Sequence, residues 1–362
     1  MLFQLLDKFV DLIDPYEAAI SAGRQTCLLP VRDGVPEARD ADEVEAEAAR
    51  DWIEGRRDRL VARLKDQLAS NRQLWSTWHA YDYTLRGFNA ALFRGAHDEY
   101  GDMDPRAGER AIAALTAYRR KRGDDPLLLT LEARTFQIVG QEWRGGGWAH
   151  QVTAEGWEEM ERCFDHAHGL LLQVPAEERG VLWHRFRFVG AIADCRTDGD
   201  GLAALFEPAW QAAPEDLALL FARAYSLLPR WYGDYAIFDD FAREAARRTS
   251  AKRGMSLYPE IYISVADAED IARDMCCDWE LMKRGFEDRY ERNPNSASAV
   301  EALRCAWQFE DWDYARGLIE SGKVNEWRPA ALDLRDSHAL WAYLFLGKKP
   351  RPFIPALERG CG

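Results

Sequence analysis

The chain has no uninterrupted apolar run of the ~18 residues a helix needs to cross a bilayer, which excludes an ordinary helical membrane span. It has no Gly-x-Ser-x-Gly elbow, phosphate loop or dinucleotide fingerprint, so the common hydrolase, nucleotide and nicotinamide sites are not signalled. Strand-like alternation is almost missing, which argues against a sheet fold. Basic surplus is missing too. A net charge of −14 repels phosphate backbones and anionic headgroups, so neither nucleic acid nor a membrane surface is expected as a partner. The seven cysteines show no paired spacing and read as reduced thiols of a cytoplasmic protein. The opening Met1-Leu-Phe-Gln-Leu-Leu-Asp-Lys-Phe-Val is apolar at helical spacing but broken by charge. It therefore does not read as a signal peptide.

What is present is aromatic and helical. Fourteen Trp, 16 Phe and 13 Tyr supply apolar area for a sizeable core. Apolar-periodic segments are expected at 3–21, 71–98, 106–121, 125–142, 153–172, 175–193, 202–212, 214–228 and 234–249, and a long polar helix at 40–70, acidic at its start and basic in its later part as its dipole favours. Further segments follow at 257–274, 278–292, 296–309, 312–321 and 336–346. Asp124-Asp125-Pro126, Pro214-Glu215-Asp216 and Ser296 read as helix starts. Helices of this length joined by short polar turns imply antiparallel hairpins. Residues 294–322 have the small-residue pattern of one tetratricopeptide unit (Ala297, Ala299, Leu303, Ala306, then Ala315 and Leu318) without a strict repeat period. The fold expected is all-α: a degenerate tetratricopeptide-like helical-hairpin solenoid with an irregular helical N-terminal part. The expected division is residues 1–100, a repeat domain over 101–347, and an extended tail over 348–362.

Two loops stand out. Arg144-Gly145-Gly146-Gly147-Trp148-Ala149 and Leu228-Pro229-Arg230-Trp231-Tyr232-Gly233, with Tyr258 and Tyr262 downstream, resemble a bacterial domain-of-unknown-function family of tetratricopeptide-like helical proteins. The match runs over about residues 126–265. The family pattern has Trp-Gly-Gly where this chain has Trp231-Tyr232-Gly233, and its Trp sits further ahead of the Arg-Gly pair than Trp143 does. The resemblance implies the fold and carries no activity.

Arg144 and Arg230 offer planar forks for carboxylates beside indole rings. One reading makes Arg144, Trp148, Arg230, Trp231 and Tyr232 the partner-binding residues of a pocket where both loops meet. The other pairs Arg230 with Asp234 or Asp239 and plugs a hairpin with Trp231.

Glu158, Glu161, Asp165 and His168 share one helix face, but no second acid-x-x-His helix completes a carboxylate-bridged metal site, and a solvated face explains them. Adjacent Cys276 and Cys277 read as two thiols, at least one of them buried. Asp336-Ser337-His338 reads as a helix cap. Trp279, Trp307, Trp312, Trp327 and Trp341 read as fillers of helix seams.

No catalytic residue, metal ligand or cofactor is expected. The functional reading is a non-enzymatic interaction module that binds a protein or peptide in a helical groove. A basic partner is its electrostatic complement, as for an immunity-type neutraliser. The alternative is a small-anion or enzymatic pocket at the Arg144 and Arg230 loops.

Overall fold

Aspartate punctuates the chain. Asp104, Asp125, Asp198 and Asp216 each accept a backbone N–H of the helix that follows. Asp234, Asp270, Asp278 and Asp311 do the same. Such a cap satisfies an orphan donor and opposes the helix dipole, for about 1 kcal/mol each. The computed structural model describes residues 39–74, 78–96, 103–145, 147, 149–266, 268–294 and 296–324, the side chains of 296 and 297 excepted. Segments 3–21 and 336–346, the tail, Trp327, Trp341 and the Asp336–His338 pair lie outside them.

The described residues are all-α, with one isolated bridge, Gln73–His79. They form two compact units, 39–252 with Glu260–Glu269, and Arg253–Pro259 with 270–324. The boundary expected near residue 100 falls inside the first.

In the first unit, α1 is Arg39–Ile53, α2 Arg57–Ser70 and α3 Ala80–Leu92. The single helix expected over 40–70 is two, because Gly55 takes a left-handed φ of +76° and ends α1. Next come α4 (Pro105–Arg122), α5 (Pro126–Arg144), α6 (Ala154–Leu172), α7 (Val181–Ala193), α8 (Gly199–Ala212), α9 (Leu217–Ser226) and α10 (Tyr235–Arg253). Packing is between neighbours and next-but-one neighbours: α4 on α5, α5 on α6 and α7, α7 on α8 and α9. Glycines set the close crossings. Gly140 of α5 lies where a side chain would begin 3.0 Å from Cys163 of α6. The core between α1, α3 and α4 is aromatic, with Trp52 edge-on to Phe88 at 5.1 Å and to Tyr118 at 6.2 Å.

A buried ionic cluster ties α3, α7 and α9 together. Arg185 donates to Asp82 Oδ1 at 2.6 Å and to Asp216 Oδ2 at 2.8 Å, and its guanidinium lies over the Tyr81 ring. Burial pushes the Asp82 carboxyl above the ordinary aspartate value, against the pull of Arg185. His79 stacks flat on Tyr81 at 4.8 Å, 1% exposed, with neither ring nitrogen hydrogen-bonded. Burial lowers its pKa, outweighing the raising effect of Asp82 and Asp216.

A histidine whose folded pKa is depressed makes the unfolded chain the better proton acceptor. The stability present above the unfolded value of ~6.5 is therefore lost as pH falls through it. His79→Phe keeps the stacked ring and removes two buried nitrogens that lack a hydrogen bond, at the cost of the 3.8 Å approach of Nδ1 to Asp82 Oδ2. It should raise stability at pH 7 by about 1 kcal/mol and flatten the decline toward pH ~5, as read by urea denaturation across pH.

In the second unit, Gly285 of α13 (Trp279–Arg292) meets Pro259, where a side chain would begin 2.4 Å from Cδ. Met255 N–H donates to Asp288 at 2.6 Å beside Gly254, whose φ is +56°. The helix expected over 257–274 is two short ones, α11 (Leu257–Ile263) and α12 (Ile271–Asp274), the latter restarted by the Asp270 cap. The hairpin of α14 (Ser296–Gln308) and α15 (Trp312–Glu320) buries Ala299, Leu303, Ala306, Ala315 and Leu318, as the spacing implies. Trp279 stacks on Phe309 at 4.5 Å and Trp307 meets Trp312 at 5.0 Å, so these indoles fill seams. Cys276 is exposed and Cys277 half-buried beside Met282. The expectation that one of this pair is buried is therefore corrected: the loop ahead of α13 leaves both near the surface.

Candidate functional site

The two loops singled out in the sequence lie at the ends of α5 and α9. Gly145, with φ +70°, ends α5. Arg144 then folds back over its own loop, donating to the Gly145 carbonyl at 3.0 Å and the Gly147 carbonyl at 3.4 Å, with its guanidinium 5.7 Å from the Trp157 ring. Trp148 lies outside the described residues. The second loop turns back on α9 so tightly that a side chain at Gly233 would begin 2.3 Å from the Leu227 carbonyl oxygen, and only glycine fits there. Arg230 pairs with Glu269 at 3.2 Å and stacks on Tyr225 at 5.2 Å. Its partner is neither Asp234, which caps α10, nor Asp239, which receives Arg243 and the Tyr262 hydroxyl.

Trp231 plugs nothing. It is 37% exposed, 5.9 Å from Tyr225 at 38%, and Ile237 on the first turn of α10 is 47% exposed. Tyr232 is half-buried, its Cβ 3.5 Å from where a Gly199 side chain would begin. Burial raises its pKa, helped by nearby Cys195, Asp194 and Asp198. The turn from α7 to α8 therefore sits beside Tyr232, and Cys195 in that turn also feels the charge of Arg144. No hydrogen bond, ion pair or ring contact joins Arg144 to Arg230, Trp231 or Tyr232. The structure brings Arg230 and Trp231 together with Tyr225, which nothing in its local sequence singles out.

A second feature is a cleft of about 290 Å³ in the same unit, lined from α5, α6, α7, the turn after α7, and α8. Helices α6 and α8 each pack on α7 but form no seam with one another. Gly190 of α7 has no side chain to stand between them. The Gln137 amide fills that place, its Nε2 2.3 Å from where a Cβ would sit and donating to the Phe186 carbonyl at 2.9 Å.

Two of the four residues on the α6 polar face line this cleft. Asp165 receives Arg196 at 2.7 Å, with Glu161 3.7 Å from the same guanidinium. His168 Nδ1 contacts the Arg187 guanidinium. The face is thus solvated and charge-compensated by arginines that the helix spacing alone does not reveal. Among the described residues no three of His, Cys, Asp and Glu gather as metal ligands, and no helix is long and apolar enough to cross a membrane.

Compared with family models, curated proteins and solved structures, the chain matches none. The resemblance to the domain-of-unknown-function family rests on the two loop motifs.

Proposed function

We propose that the protein is a non-enzymatic interaction module of tetratricopeptide-like build, docking a basic protein or peptide through the exposed patch of Tyr225, Arg230, Trp231 and Ile237. The next-but-one packing of α5, α7 and α9 supports the hairpin reading, with α5/α6 and α7/α8 as successive units. One observation carries the docking reading: of the exposed large apolar side chains among the described residues, Tyr225, Trp231 and Ile237 fall on one stretch, 225–237, whereas Ile53 and Leu172 each stand alone on a helix.

The overall charge of −14 favours a basic partner. An immunity-type neutraliser of a basic toxin is the sharpest form of this reading, and free exposed thiols at Cys195 and Cys276 suit a reducing cytoplasm. The small-anion alternative at Arg144 and Arg230 has less support, because Arg144 is spent on its own loop and Arg230 on Glu269.

Capture from the native host tests this. The wild type should retain one basic protein at low salt. Trp231→Ala should weaken retention about tenfold without lowering Tm, and salt at about 0.5 M should release the partner. A retained set indifferent to both the substitution and salt would remove the reading.

A further inference from the structure

The cleft between α6 and α8 has chemistry that the docking patch does not share. Its floor is apolar, from Phe164, Leu171, Ala191 and Leu205, and its rim is charged. Of the two rim arginines, Arg196 is committed to carboxylates, at 2.7 Å from Asp165 and 3.5 Å from Asp194. Arg187 is not: among the described residues no carboxylate lies within ion-pair distance of it, and its one hydrogen-bonding contact is the His168 ring. Arginine can only donate, so in this contact His168 takes the acceptor role and brings no negative charge to Arg187. The rim therefore offers a guanidinium fork with no carboxylate of the described residues paired to it, the acids Asp165 and Asp194 lying farther off. Partial burial weakens Arg187's hold on its proton relative to an ordinary arginine, against the more distant pull of Asp194 and with the help of Arg179.

We propose that this cleft binds a monoanionic carboxylate carrying a short apolar body, the Arg187 fork taking the carboxylate and Phe164, Leu171 and Leu205 taking the body. A fork-to-carboxylate pair is planar and bidentate, which suits this single cation. A dianion such as phosphate is disfavoured, because Asp165 and Asp194 share the rim and repel the second charge. The volume equals that of about ten waters in the liquid, the size of a small branched acid or the last residue of a peptide. Both sources present the same chemistry, a free acid or a chain's C-terminal carboxylate.

Isothermal titration calorimetry on the full chain distinguishes them. The probes are 4-methylpentanoate, an acetylated tripeptide ending in leucine as the free acid, the same peptide as its amide, and inorganic phosphate. At least one of the two acids should bind saturably, and the one that does identifies the source. The amide and phosphate should bind at least about tenfold more weakly, and Arg187→Gln should cost at least about tenfold while far-UV circular dichroism and Tm stay those of the wild type. Leu205→Trp fills the cleft from its edge, leaves Arg187 in place, and should abolish binding as well. Absence of binding by both acids to the folded wild type overturns the proposal. So does an amide that binds as well as its acid, phosphate that binds more tightly than both acids, or full affinity in either folded variant. None of these outcomes bears on the patch at Trp231.

Discussion

Arg185→Ala is expected to destabilise the first unit by about 3–5 kcal/mol, seen as a large drop in the midpoint of urea denaturation. The reason is what the truncation leaves behind. Asp216 is 1% exposed and Asp82 9%, and Arg185 lies within 2.8 Å of both. Without the guanidinium, two carboxylates face one another away from water with no counter-charge. Burial already holds the Asp82 carboxyl above its ordinary value with Arg185 in place. The cost therefore belongs to the stranded acids and not to the ion pair as a net gain, and a second variant separates the two. Replacing the set together, as Arg185→Met, Asp82→Leu and Asp216→Asn, should recover most of the loss, since Asn still accepts the Leu219 N–H as a cap. A single Arg185→Ala variant that loses less than about 1 kcal/mol would mean that water reaches the acids and the cluster is not sealed.

The second large effect is steric. Gly87 is where α3 crosses α1, and a Cβ there would sit 2.0 Å from the Glu45 carbonyl oxygen and 2.8 Å from its carbon. Those are backbone atoms, which no rotamer change can move aside, so Gly87→Ala forces the two helices apart. Alanine's helix propensity returns about 1 kcal/mol, while prising apart a packed crossing costs up to about 3 kcal/mol or more. A net loss of about 2 kcal/mol is expected. Gly169→Ala is the matched control. It lies on the exposed side of α6 with nothing within 4 Å of the added methyl, and should stabilise by about 0.5–1 kcal/mol. Thermal denaturation of the two variants beside the wild type reads both signs. A Gly87→Ala protein as stable as Gly169→Ala would show that the helices do not meet so closely.

Much of the local structure was legible in the residues. Asp125 before Pro126 caps a helix as its chemistry requires, and the apolar spacing of 296–321 lands Leu303, Ala306 and Leu318 in a seam, whereas the helix expected from Pro214 starts only at Leu217, with Asp216 as its cap. Gly55 was overlooked because the charge gradient across 40–70 continues through it as if one helix ran on.

The partners of the candidate site were less legible. Arg230 meets Glu269, 39 positions away, when nearer acids at 234 and 239 were the natural guess. Asp165 and His168 read as solvated residues of one helix, and the structure adds Arg187 from the next helix and Arg196 from the turn after it. Ion pairs between helices leave no period in the sequence, because each partner is an ordinary charged residue on its own element.

Composition, apolar period and helix punctuation, read from the chain alone, determined an acidic, aromatic-rich, all-α protein and most of its helix ends, since these follow from backbone hydrogen bonding and the burial of one face per helix. Tertiary structure alone decided which arginine is neutralised and which is not, that Trp231 stands in solvent, and that a gap opens between α6 and α8 over Gly190. Those outcomes depend on how closely particular helices approach, and that distance is set by side-chain volume at crossings many residues apart.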